Sequence, residues 1–152
     1  MLRWMLNAFT WDKEKSMFAK TQMTGLDFAM PDVCLTPIPS PAGPIPTPMP
    51  YPNMTMPMTA IPSQFKVLTV CMPNHNLMTI TPMSNGDNAG LMMNPLSGMV
   101  MGPAKNLMGS IKVMIGGLPA TTMLKPTGQN GMSPGAFGMS MVPSQVKLMI
   151  MS

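Results

Sequence analysis

Alternation of apolar and polar positions marks three short stretches of this chain as strands. Ser63-Gln64-Phe65-Lys66-Val67-Leu68-Thr69-Val70, Ser110-Ile111-Lys112-Val113-Met114-Ile115 and Ser144-Gln145-Val146-Lys147-Leu148-Met149-Ile150 align when the register is set on lysine. A period of two puts Phe65, Val67 and Thr69 on one face, matched by Ile111, Val113 and Ile115 and by Val146, Leu148 and Ile150. Lys66, Lys112 and Lys147 then share the opposite face. Met-x-Met steps precede each copy, and Asn85-Gly86 and Asn130-Gly131 supply turn signals beyond the first two. Three copies with an in-register lysine predict an internal pseudo-threefold repeat.

The N-terminal pattern is different. Leu2, Met5, Leu6 and Phe9 fall at helical spacing, and a second helical stretch is expected from Trp11 to Lys20. Residues 1–32 hold 8 of the 14 charged residues and five of the eight aromatics. The composition changes sharply near Pro31. This pattern predicts a partly helical arm over residues 1–30 and a separate domain over 31–152, with residues 1–20 dispensable to the fold. The arm either packs on its own domain or docks on another protein.

From Val33 to Phe65 the chain is uncharged for 33 residues and carries ten prolines. Proline fixes φ and removes ladder donors, so this segment is expected to be extended, polyproline-like chain with turns. Apolar Ile38, Ile45, Met49 and Tyr51 between the prolines suit chain lying on a protein surface.

Composition narrows the fold. In 152 residues there are 19 Pro and 13 Gly, spread along the chain, which disfavours long helices. Charged residues are 9%, against about 25% in ordinary globular proteins, so a solvated charged tail is excluded as well. An all-β domain with Pro/Gly-rich loops remains, or a low-complexity segment poorly soluble on its own. The 24 methionines are expected to fill irregular gaps where no wide core is available.

The net charge of +4 comes from 9 basic and 5 acidic residues, with no basic cluster past residue 20, so no nucleic-acid partner is indicated. Neither a signal peptide nor a stable membrane anchor is read in the sequence. Catalytic constellations are missing too, and the chain is not expected to be an enzyme. Cys34, Cys71 and His75 are the candidate metal ligands, with Cys71-x-x-x-His75 at workable spacing for zinc. Two buried thiols and a solvated histidine, with no cofactor, is the plainer reading. The Met-x-Met steps leave a soft-metal protein, for zinc or copper, as an alternative function.

Three similar strand units in one chain have a clear physical use. They can cap the end of a homotrimer, offering one strand to each subunit and covering unpaired backbone groups at the end of a β-prism. Lys66, Val67, Lys112, Val113, Lys147 and Leu148 are the candidate contact residues.

Several segments resemble the PAAR-like proteins. They are Pro31-Asp32-Val33-Cys34-Leu35-Thr36-Pro37, Pro-Ala-Gly-Pro-Ile-Pro over 41–46, Pro50-Tyr51-Pro52-Asn53 and Gly86-Asp87-Asn88-Ala89-Gly90. Leu96-Ser97-Gly98, Gly109 to Ala120 and Thr127-Gly128-Gln129-Asn130 extend the resemblance over roughly residues 31–152. It implies a small tapering β-prism or cone at the tip of a contractile injection apparatus of the type VI secretion kind. Such a tip sits on a trimeric VgrG-type spike, one per trimer, sharpens it and helps to carry effectors. The resemblance also implies a bacterial cytoplasmic protein that is assembled on the apparatus and then translocated. An effector or chaperone would attach through residues 1–30. Metal-containing relatives hold zinc with three His and one Cys, a set excluded here because His75 is the sole histidine.

Overall fold

The computed structural model describes residues 16–151, and its regular structure is β apart from one short 3-10 turn at Pro57–Thr59. The strands are β1 Ser16–Phe18, β2 Leu26–Ile38, β3 Ile45–Thr55, β4 Leu68–Thr69, β5 Met72–Pro73, β6 Ile80–Thr81, β7 Ala104–Asn106, β8 Met114–Ile115, β9 Leu118–Pro119, β10 Pro126–Gln129, β11 Ala136–Val142 and β12 Met149–Met151. Six of them form an antiparallel sheet in the order β3-β2-β11-β10-β7-β6, which does not close into a barrel. The other six make three two-stranded units: β4-β5, β8-β9 and β1-β12. The result is a small β-rich body without a helix among the described residues, and no helix there is long and apolar enough to cross a membrane.

The helical stretch expected over residues 11–20 is corrected in its described part. Residues 16–18 are strand β1, paired with β12 in the register Ser16↔Met151, Met17↔Ile150 and Phe18↔Met149. Residues 1–15, with the Leu2, Met5, Leu6 and Phe9 face, lie outside the described residues. The composition change at Pro31 falls inside β2, which runs through it.

The proline-rich run is not free polyproline chain but the edge strand of a long hairpin. β3 pairs with β2 from Asp27↔Thr55 to Ile38↔Ile45. Pro46, Pro48 and Pro50 stand opposite Pro37, Leu35 and Val33, at every second position. The Leu35 amide points away from β3, to the Met93 carbonyl, so these are the positions whose amides face outward. Prolines there remove the donors that would invite another strand, while Ile45, Thr47, Met49 and Tyr51 keep theirs for β2.

The interior is polar and the surface apolar. Buried hydrophobic side chains are Ala19, Ala29, Cys34, Ala60, Ala104, Ile115, Ala120, Ala136 and Ile150, whereas Asn53, Asn74, Asn76, Asn130, Gln129 and many threonines are fully buried. Lys20 is buried at 4% exposure, its Nζ 2.6 Å from Asp27 Oδ2 and 2.8 Å from Asn106 Oδ1. No described methionine is buried, which corrects the reading of methionine as core filler. Closely approaching backbones leave room only for small side chains and for amides that satisfy the backbone groups of tight turns.

Candidate docking face and buried carboxylate cluster

Each of the three lysine-centred repeats begins with a side-chain turn. Gln64 Oε1 accepts the amides of Lys66 and Val67, at 3.0 and 2.8 Å. Gln145 Oε1 accepts those of Lys147 and Leu148, both at 2.7 Å. Ser110 Oγ accepts those of Lys112 and Val113, at 3.3 and 3.2 Å. A side-chain acceptor that captures the second and third following amides bends the chain instead of extending it. Regular strand therefore starts only at Leu68, Met114 and Met149.

This bend breaks up the single face that period-two alternation predicts. Phe65, Ile111 and Val146 are 67%, 89% and 68% exposed, whereas Ile115 and Ile150 reach the core with Ala19 and Ala120. Lys66, Lys112 and Lys147 are exposed at equivalent positions, as is Val67, while Val113 and Leu148 are half-buried. The six residues named as contact candidates thus lie on or beside three matching turns. Exposed Phe65, Ile111 and Val146 stand on the same turns, each the residue before a lysine.

Backbone hydrogen bonds repeat in the same threefold way. Asn74, Ala120 and Ala19 donate to Val67, Val113 and Leu148, each at 3.0 Å. One residue on, a ring closes: His75 donates to Lys20, Lys20 to Thr121 and Thr121 to His75, at 2.9, 2.9 and 3.2 Å. A third layer runs from Gln22 to Pro73, Leu77 to Pro119 and Met123 to Phe18, at 3.0, 3.0 and 2.9 Å. The bridges Ala19↔Thr122, Thr21↔Asn74 and Asn76↔Ala120 complete a three-sided arrangement. In two repeats the hairpin turns on left-handed residues, Val70-Cys71 and Gly116-Gly117; in the third, Met151 and Ser16 meet across the same position. Sequence reading missed that residues 16–22 are half of the third repeat, because they share no side-chain pattern with Cys71–Leu77 or Gly117–Met123.

The proposed ligands Cys34, Cys71 and His75 are not brought together. Cys71 is exposed in the β4-β5 turn. His75 is buried beside Lys20 in the ring, and burial, then that cation, pushes its pKa down to about 3. Cys34 sits instead with two carboxylates. Its Sγ is 3.6 Å from Asp32 Oδ1, 3.7 Å from Asp87 Oδ2 and 3.6 Å from Asn130 Nδ2. Burial, then Asp32 and Asp87, pushes the thiol pKa up to about 12, and burial also raises that of Asp87.

The register shift between Ala29 and Asp32 creates this cluster. Ala29 faces inward before it and Asp32 and Cys34 after it, a change of parity that unbroken pairing would not allow. Gly90 packs against the cluster so closely that a Cβ there would lie 2.2 Å from Cys34 Cβ. Three segments that carry the family resemblance, Pro31–Pro37, Pro50–Asn53 and Gly86–Gly90, converge here through Asp32, Cys34, Asn53 and Asp87.

The family described as Toxin PAAR-like domain matches residues 25–136. The chain belongs to this family. No curated protein and no solved structure matches it. Membership makes it a spike-associated, PAAR-like protein, and the match begins before Pro31, inside the segment first read as an arm.

Proposed function

We propose that this PAAR-like protein is a structural, non-catalytic tip that caps a trimeric VgrG-type spike, one copy per trimer. The observation that carries this reading is the closed threefold ring of backbone hydrogen bonds with three matching turns around it. One chain thereby offers a trimer three like surfaces. Each has an apolar residue (Phe65, Ile111 or Val146) followed by a lysine, and next to them Leu68, Met114 and Met149 are 55%, 67% and 50% exposed. Exposed apolar side chains grouped in this way fit a protein interface rather than solvent.

Seated on the spike, the chain ends the trimer in a narrower body and helps deliver effectors, with an effector or chaperone attached through the residues that precede β1. It is made in the bacterial cytoplasm, joins the injection apparatus and leaves with it. The test is pull-down of the spike by the full chain. Substituting Phe65, Ile111 and Val146 together with Asp should abolish capture while the circular dichroism spectrum is unchanged. Normal capture by that folded triple variant would remove this face from the interface.

A further inference from the structure

We propose that Asp32, Cys34 and Asp87 form a buried binding site for one zinc-class divalent cation, unrelated to the Cys34, Cys71 and His75 set. Their ligand atoms all lie within 4.8 Å of one another. The thiol-to-carboxylate distances of 3.6 and 3.7 Å match the edge of a zinc tetrahedron with one sulfur and one oxygen, roughly 3.5 Å for ordinary bond lengths.

The surroundings are wired for a cation. Each candidate ligand accepts from an N–H group: Asp32 from Asn53 and Asn94, both at 2.7 Å, Asp87 from the Met101 amide at 2.9 Å, and Cys34 from Asn130. Such donors orient ligand atoms around a metal. Among the described residues, no lysine, arginine or histidine forms an ion pair with Asp32 or Asp87, although both are fully buried. Buried carboxylates facing each other without a counter-charge are costly.

Asp87 Oδ1 and Asn53 Oδ1 are buried and accept no hydrogen bond, while the other polar atom of each side chain is engaged at the cluster. The second oxygen of the Asp87 carboxylate, or a water, can complete four-coordination. A thiolate beside two carboxylates selects zinc over calcium or magnesium, which take oxygen ligands alone. On binding, the Cys34 S–H bond breaks, a sulfur–zinc bond forms, and the proton leaves to solvent with any proton held on Asp87. No electron is transferred. The site shares no residue with the threefold face, so its failure would leave the proposed capping untouched.

The experiment is metal analysis and native mass spectrometry of the full chain, as purified and after addition of zinc chloride. The expected result is about one zinc per chain, lowered about tenfold or more in affinity by Cys34→Ser, by Asp87→Asn and by the orienting-residue variant Asn130→Ala. Cys71→Ser and His75→Gln should keep their metal. Chelation should lower the melting temperature of the wild-type chain. A wild-type chain that carries no zinc, takes up none when it is added, and melts identically with and without chelator would overturn the proposal. So would zinc lost from Cys71→Ser or His75→Gln but retained by Asp87→Asn.

Discussion

Two of the three repeats close with their own hairpin, and the third is assembled from opposite ends of the chain. β4-β5 and β8-β9 turn within two residues, so their strands find each other at almost no loop-closure cost. β1 and β12 instead join residues more than 130 positions apart, from Ser16↔Met151 inward. The backbone bonds of the three are nonetheless equivalent. Symmetry here resides in backbone positions, and side chains follow it only in part: His75, Lys20 and Thr121 occupy one equivalent position with three chemistries. A threefold surface can therefore be built without a threefold sequence.

Truncation breaks the comparison hardest. Deletion through residue 20 removes β1 and Lys20, opens the ring and strands the β12 edge and Asp27. We expect loss of the cooperative thermal transition, whereas deletion through residue 15 should preserve it. Removing residues 144–152 should have the same consequence as the longer N-terminal cut. Cooperative melting after deletion through residue 20 would mean that the third repeat adds nothing to the fold.

Next in size is Lys20→Met, which leaves Asp27 buried without its cation and should cost about 3–5 kcal/mol in urea unfolding. Adding Asp27→Leu should recover part of that loss. At the equivalent position His75 makes the fold sensitive to acid. Its pKa in the fold is about 3 against an ordinary 6.5, so the unfolded chain takes up the proton first as pH falls. The stabilisation is complete above about 6.5 and fades from there toward 3. The melting temperature should drop across that range, and His75→Gln should flatten the slope.

The turns give smaller and more graded effects. Gln64→Ala and Gln145→Ala each strand two backbone amides and take a second donor from the Val67 or Leu148 carbonyl, and each should cost about 1–3 kcal/mol. Replacing Val70-Cys71 by Asn-Gly should instead stabilise the first hairpin by about 1 kcal/mol. Val70 and Cys71 hold φ of 54° and 61°, which the Gly116-Gly117 turn of the second repeat adopts without strain. No gain in melting temperature would show that the Val70-Cys71 turn stores no strain.

Much of this was legible in the sequence, for definable reasons. The lysine register survived because Lys66, Lys112 and Lys147 follow turns with the same bonding, so the repeat was visible even though the strands are shorter than alternation implied. Period-two counting puts Phe65, Ile111 and Val146 on one face with their partners, because it does not see a side chain capturing amides. Residues 16–22 were hidden inside residues 1–32, whose charge and aromatic content reads as a separate arm, and Lys20 is a buried cation that composition cannot reveal. The Cys34 cluster depends on a register shift in β2 that moves Asp32 and Cys34 to the inner face. Spacing along the chain gave Cys71 and His75 as partners for Cys34, but the fold gives it Asp32 and Asp87.

The central claim is that one asymmetric chain meets three identical subunits through three equivalent turns. A cryo-EM reconstruction of the full chain on its trimeric spike, calculated without imposed symmetry, tests it most directly. The account predicts one chain per trimer, with Phe65, Ile111 and Val146 each touching a different spike subunit and the ring of Lys20, His75 and Thr121 centred on the spike axis. Three chains per trimer, or a single chain held through the β2-β3 hairpin with these residues in solvent, would contradict it.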